Sequence, residues 1–228
     1  MNKPLIYTVI TGNYDTIKQP LVVEEGVEYI LFTNNSEIID AGVWKVVQIP
    51  SEEWPSRTAR ENNILLSRKV KMLPHEYLPE GAEWSIYIDA DMVIKRPLTE
   101  LLNNLHSKTL FAACRHSYCK SVQEEIEDLL SQNMVQPEQV KEQWQKYVEW
   151  GFDDNLGISE NGLLIRRHND ARVIQLMKLW WKEYQSGCLR DQVSLMPCMY
   201  KADFVPYFQF IEKNIRANEY LDLLKHNY

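Results

Sequence analysis

An apolar run, Trp84-Ser85-Ile86-Tyr87-Ile88, breaks into Asp89-Ala90-Asp91 and then resumes as Met92-Val93-Ile94. Placing two carboxylates at the end of a buried strand is costly unless a cation or hydrogen-bond donors compensate them. In an open α/β sheet, ligands bind beyond the carboxyl ends of the strands, which is where such a pair sits. Two hard oxygen ligands, completed by diphosphate oxygens and water, suit Mg2+ or Mn2+. Asp-x-Asp also arises in turns and caps; the strand context is what points to a metal.

A basic stripe is the second signal. Residues 56–73 form a helical pattern, with Ser56 placed to cap it and Pro74 to stop it. At 3.6 residues per turn, Arg57, Arg60, Arg68 and Lys71 fall within about 80° of one another. Ala59, Leu66, Val70 and Leu73 occupy the opposite face, as on a helix packed against a sheet. A solvated basic face is the usual meaning of such a stripe. Ile64 lies inside this one, which suggests cover, and an Arg/Lys stripe is suited to a pyrophosphate.

Weaker signals accompany these. After Tyr7-Thr8-Val9-Ile10, the segment Thr11-Gly12-Asn13-Tyr14 reads as a turn whose glycine permits close approach and whose tyrosine can stack on a base. It is neither a dinucleotide-binding fingerprint nor a P-loop. Arg190-Asp191-Gln192 follows Gly187, and by itself reads as a helix cap. The five histidines form no HxxxH pair, and no GxSxG elbow occurs, so a His-based zinc enzyme and a serine hydrolase are poorly supported.

These residues need a scaffold to bring them together. Apolar, β-branched runs at 5–11, 27–33, 43–49, 84–89, 108–114 and 162–166 read as strands. Helical patterns lie at 97–105 and 170–186, predicting α/β alternation around a largely parallel sheet. Polar helices at 121–131 and 137–150 are expected to form an insertion, and 210–228 a helical tail, within a single domain spanning 1–228. Trp144, Tyr147 and Trp150 of the insertion could stack on a sugar, although packing is the commoner use of such residues.

Composition narrows the partners. A net charge of −7 argues against a nucleic-acid footprint. No apolar run is long enough to span a bilayer, and no leader is visible, so the expected location is cytoplasmic. Cys114, Cys119, Cys188 and Cys198 contain no CxxC pair and are expected to be buried thiols.

Taken in order, YTVITGNYD, FTN, SRKVKMLPHEYLP, WSIYIDADMVI, WWKEY and RDQVSL resemble the glycosyltransferase-like family first noted as a domain of unknown function in plant mucilage-type and bacterial proteins. More distantly, the chain is similar to retaining glycosyltransferases of the glycogenin and bacterial lipopolysaccharide galactosyltransferase type. The resemblance implies a GT-A fold, a Rossmann-like, mostly parallel mixed sheet flanked by helices. It also implies that Asp89 and Asp91 bind Mn2+ or Mg2+, that Thr11, Gly12, Asn13 and Tyr14 meet the nucleoside, and that Arg68 and Lys71 approach the donor. Asn161-Gly162 would face the donor sugar, and Asp191-Gln192 would lie near the reacting centre. Relatives often place a base-reading acid after the second strand, where this chain has Asn34. Glycogenin-type relatives use a late histidine as third metal ligand; here the one histidine after Asp191-Gln192 is His226.

The expected activity is metal-dependent transfer of a hexosyl group from a nucleotide-diphosphate sugar, read as a UDP-sugar, to a glycan or other hydroxyl acceptor, with retention. The alternatives are a nucleotidyltransferase, for which the turn after the first strand lacks a Gly- and Arg-rich phosphate loop, and a non-catalytic nucleotide- or sugar-binding module.

Overall fold

The computed structural model describes residues 4–213, 215–216 and 218–224. Among them, β1 (Leu5–Ile10), β2 (Glu28–Thr33) and β3 (Lys45–Gln48) precede α1 (Ala59–Met72), β4 (Ser85–Ile88), β5 (Met92–Ile94) and β6 (Phe111–Arg115). There follow α2 (Val122–Ser131), α3 (Pro137–Glu149), β7 (Ser159–Arg166), α4 (Ala171–Ser186), α5 (Asp191–Lys201), β8 (Phe208–Ile211) and β9 (Leu221–Leu223).

Seven strands form one sheet in the order β3-β2-β1-β4-β7-β6-β8, and β5 pairs with β9 in a small second sheet. Strand β7 runs antiparallel to both its neighbours, whereas the other pairs in the main sheet are parallel. Every residue of β1, β4 and β7 is buried, which is why their sequences read as nearly unbroken apolar runs. Alternation along them divides the core between the two faces. Tyr7, Val9 and Tyr87 pack with Leu66, Val70 and Trp180 on one side, while Ile6, Ile10, Ile86 and Ile88 pack with Met92 and Leu98 on the other. Each fully buried side chain of this size contributes about 1.5–3 kcal/mol.

Helix α1 begins later than its sequence pattern suggests. Thr58, not Ser56, is the cap: its hydroxyl accepts the Glu61 N–H, and Glu61 returns a bond to the Thr58 N–H. Ser56 instead adopts a left-handed conformation, φ 61°, in the turn before the helix. The segment expected as a helix over 97–105 is a 3-10 helix, Leu98–Asn104. The helical tail expected over 210–228 is overturned. Its described part holds the end of β8 and all of β9, because Phe208–Ile211 finds an open edge beside β6 and Leu221–Leu223 finds β5. Two helices, α2 and α3, occupy the insertion, where Tyr147 is fully buried and Trp144 and Trp150 pack against the core. All four cysteines are buried free thiols. Among the described residues no helix is long and apolar enough to cross a membrane.

Candidate active site

The carboxyl ends of β1 and β4 open into a cleft of about 800 Å3, walled by α1 on one side and by residues 188–190 on the other. The chain turns sharply at the end of β4. Asp89 N–H donates to Gly162 O (2.9 Å), and Met92 N–H donates back to Asp89 O (3.1 Å). The tail closes on the same turn, with Leu224 N–H donating to Asp91 O (3.0 Å). This hairpin-like step sets both Asp89 and Asp91 on the cleft wall.

A charged network lies beneath. Tyr87, two residues before Asp89 and on the same strand, donates its hydroxyl proton to Asp89 Oδ1 (2.7 Å). Lys71, 1% exposed, puts Nζ 2.7 Å from Asp191 Oδ2 and 3.5 Å from Asp89 Oδ1. Arg68 Nε lies 3.9 Å from Asp191 Oδ2. Burial by itself raises the Asp191 carboxyl, but the charges of Lys71 and Arg68, the Lys71 hydrogen bond and the charge of Arg190 outweigh it and hold the group at about 2. Burial, and then the neighbouring Asp89 charge, push the Tyr87 phenol well above its usual range, so it stays a proton donor to Asp89.

The residues present fit a divalent cation. Asp89 and Asp91 offer only hard oxygen donors on one wall. Gly162 leaves room for Asp89: a Cβ there would lie 3.1 Å from Asp89 Oδ2 and 2.4 Å from Met92 Cε.

The structure gathers Thr11, Asn13, Tyr14, Arg68, Asp89 and Asp91 around the cleft. Lys71 and Asp191 lie behind its floor and reach it through Asp89 and Arg68. Asp191 is the first residue of α5 but caps nothing; its side chain is committed to Lys71 instead. Gln192 follows on α5 and is half-buried, outside the cleft wall. Asn161 is 1% exposed, and its Oδ1 accepts from Ser159 Oγ (2.8 Å). Arg57 precedes α1 and pairs with Glu61 (3.4 Å), while Arg60 and Ile64 line the cleft. His226 lies outside the described residues.

Asn34 is not on the cleft wall. Its Oδ1 accepts the Gly12 N–H (2.7 Å), and its Nδ2 donates to Asn63 Oδ1 (2.9 Å) and Ser51 Oγ (3.0 Å). Those bonds fix the orientation of both amides and clamp the turn after β1 onto α1. Gly12 is obligatory in that clamp: φ is +57°, and a Cβ would lie 2.5 Å from Asn63 Nδ2. Sequence reasoning gave no role at the site to Asn63, Tyr87, Tyr184 or Arg190, all on the wall. Period-2 spacing from Asp89 could have flagged Tyr87, and adjacency to Asp191 could have flagged Arg190; Asn63 carried no signal.

Residues 21–224 match the family described as TOD1/MUCI70, glycosyltransferase-like domain. No curated protein sequence matches the chain. Among solved structures, the galactosyltransferase LgtC, in complex with donor and acceptor sugar analogues, aligns at TM-score 0.50 and 12% identity, over 91% of this chain and 73% of that one. The bifunctional glycosyltransferase WbbM aligns at TM-score 0.49 and 11% identity over 91% of this chain, which spans only 38% of WbbM. Mouse xyloside xylosyltransferase 1 aligns at TM-score 0.48 and 12% identity, over 90% of this chain and 84% of that one. At such identity the LgtC likeness shows a shared GT-A fold.

Proposed function

We propose that this chain, which belongs to the TOD1/MUCI70 glycosyltransferase-like family and has the GT-A fold, is a glycosyltransferase that moves a hexosyl group from a UDP-sugar to a hydroxyl acceptor, with a divalent cation and with retention of configuration. The observation that carries this reading is the placement of Asp89 and Asp91 in one cleft together with Arg68, Arg60 and Tyr14.

Tyr14, exposed at the cleft mouth, offers a flat face to the base, and Asn13 and Asn63 offer amides to the nucleoside. Arg68 is directed at the diphosphate, where negative charge builds as the anomeric bond breaks. Mn2+ or Mg2+ held by Asp89 and Asp91 supplies further stabilisation of that charge. Asp191, kept ionised by Lys71, would position the donor sugar or stabilise the positive charge that develops on it. Gln192 and the Asn161-Gly162 segment would serve as positioning groups. Lys71 serves as a fixed counter-charge, not as a proton carrier.

Calorimetry of UDP binding with and without Mn2+, joined to an assay of UDP-sugar hydrolysis, tests the reading. Asp91→Asn is expected to abolish the Mn2+ dependence of UDP binding and to lower hydrolysis at least a hundredfold. UDP binding that ignores Mn2+ in the wild-type protein, with no hydrolysis of any UDP-hexose, would favour a silent binding module.

A further inference from the structure

The donor cleft occupies the lip of β1 and β4. The neighbouring lip, where β7 begins and β6 ends, carries a second constellation. Glu160, the second residue of β7, is 5% exposed, and its carboxylate accepts from Ser117 Oγ (2.5 Å) and from Arg216 Nη2 (2.9 Å). The Arg216 guanidinium lies 5.3 Å from the ring centre of Tyr118, a side chain that is 74% exposed. Two residues along β7, Gly162 O receives the Asp89 N–H. At about 3.3 Å per residue, Glu160 is therefore only about 7 Å along the strand from the turn that carries the two aspartates.

The loop bearing Tyr118 is clasped from below. His116 Nδ1 accepts the Cys119 N–H (2.9 Å), its Nε2 faces Glu125 Oε2 (3.5 Å), and Glu125 also accepts from Cys119 Sγ (3.4 Å). The ligand atoms of His116, Cys119 and Glu125 lie within 4.8 Å of one another, as in a metal site. Because Nδ1 takes a backbone proton donor, however, the ring proton sits on Nε2, which then cannot ligate. The clasp is structural, and the Tyr118 ring lies edge-on to the His116 ring with 6.4 Å between their centres. His116 N–H also donates to Ile158 O (3.0 Å), which ties the loop to the start of β7.

A pyranose has an apolar C–H face and a rim of hydroxyls, which an exposed aromatic ring and an immobilised guanidinium match in shape and chemistry. We propose that Tyr118 and Arg216 form the acceptor subsite for a sugar. Tyr118 stacks on the pyranose face, Arg216 donates to its hydroxyls, and Glu160 with Ser117 holds the guanidinium in place. The proposal rests on the glycosyl-transfer reading and says where the hydroxyl acceptor sits, beyond the ends of β7 and β6 on the same lip of the sheet as the donor cleft.

Saturation-transfer NMR with the methyl α- and β-hexopyranosides of glucose, galactose and mannose tests it, with and without UDP. At least one glycoside is expected to bind the wild-type protein, and Tyr118→Ala to weaken it fivefold or more. Tyr118→Phe, which keeps the stacking face, is expected to stay within twofold. UDP affinity and the unfolding midpoint are expected not to move in either variant, a pattern that a structural role for Tyr118 does not produce. Equal glycoside affinity in Tyr118→Ala, or no glycoside binding by the wild-type protein, overturns the proposal. Failure of wild-type UDP binding removes the donor-site reading instead, because glycoside binding is read separately.

Discussion

Lys71 and Asp191 stand 120 residues apart in the chain, yet Lys71 Nζ meets Asp191 Oδ2 at 2.7 Å in a site where both side chains are buried. The same ammonium lies 3.5 Å from Asp89, so one cation on α1 ties the Asp89-Ala90-Asp91 turn to the first residue of α5.

Lys71→Met tests that link. Removing one partner of a buried pair leaves an uncompensated charge, and a loss of about 3–5 kcal/mol in urea unfolding is expected. The acid limb reports it separately. With its pKa held at about 2 in the folded state and 3.8 as its reference, Asp191 contributes stability that is full above about pH 4 and is lost as the pH falls towards 2. In Lys71→Met the folded-state carboxyl moves up towards its reference, so the acid-induced loss traceable to Asp191 shrinks or reverses; an acid limb identical to wild type would show that the pair is energetically idle.

Gly162→Ala places a methyl group 2.4 Å from Met92 Cε and 3.1 Å from Asp89 Oδ2. The methionine tip can yield, so the stability cost is expected to be about 1–3 kcal/mol, as for other overpacked sites. The carboxylate has less room to move. Mn2+ dependence of UDP binding, measured by calorimetry, is expected to weaken about tenfold, and an unchanged dependence would separate Gly162 from the metal.

Asn34→Ala removes an acceptor for the Gly12 N–H and two donated bonds. A partly buried amide left without its partner costs about 1–3 kcal/mol. Because the clamp holds the turn proposed to meet the nucleoside, KM for the UDP-sugar is expected to rise several-fold with kcat little changed. A fall in kcat at constant KM would instead assign Asn34 to the chemistry.

Tyr14→Ala concerns an exposed ring, 58% accessible, so no change in the unfolding midpoint is expected. Loss of stacking on the base should weaken UDP by about 1–3 kcal/mol, by analogy with base–aromatic contacts elsewhere. Titration of UDP and of inorganic pyrophosphate separates the two parts of the site: only UDP should respond.

His168 supplies a pH prediction remote from the cleft. Burial, then the charges of Arg166 and His75, outweigh a bond involving the Pro79 backbone and lower its imidazole to about 4. The folded state therefore keeps it neutral where the unfolded chain protonates it. Stability is complete above about pH 6.5 and falls as the pH drops from there towards 4, at up to about 1.4 kcal/mol per pH unit for each extra proton bound by the unfolded chain. His75, lowered first by its burial, acts in the same direction. Unfolding midpoints at pH 7.5 and 5.0 check this, and His168→Gln should flatten the difference.

The strands were legible in the sequence because β1, β4 and β7 are buried on both faces and therefore write continuous apolar runs. The tail was misread for a related reason. Phe208–Ile211 and Leu221–Leu223 are only three or four residues long, too short for a period to show, and they become strands only because edges of β6 and β5 stand open to them. At the site, Asp89 and Asp91 announced themselves by interrupting a strand. Asn34 was not legible, because an amide after β2 reads the same whether it faces a ligand or a neighbouring turn; its bonds to Gly12 and Asn63 appear only in three dimensions.

Sequence alone settled what depends on near neighbours: the strand–turn–strand step at Asp89-Ala90-Asp91, the basic face of α1 and the order of elements from which the family is recognised. Tertiary structure decided which of those groups meet. Lys71 could equally have been a solvated lysine on its helix, and Asp191 a helix cap, until the sheet brought α1 and α5 together and took the water from between them. The reason is physical. Periodicity and capping are short-range effects written into consecutive residues, whereas the charge state and partner of a buried group depend on whatever distant segments exclude solvent around it.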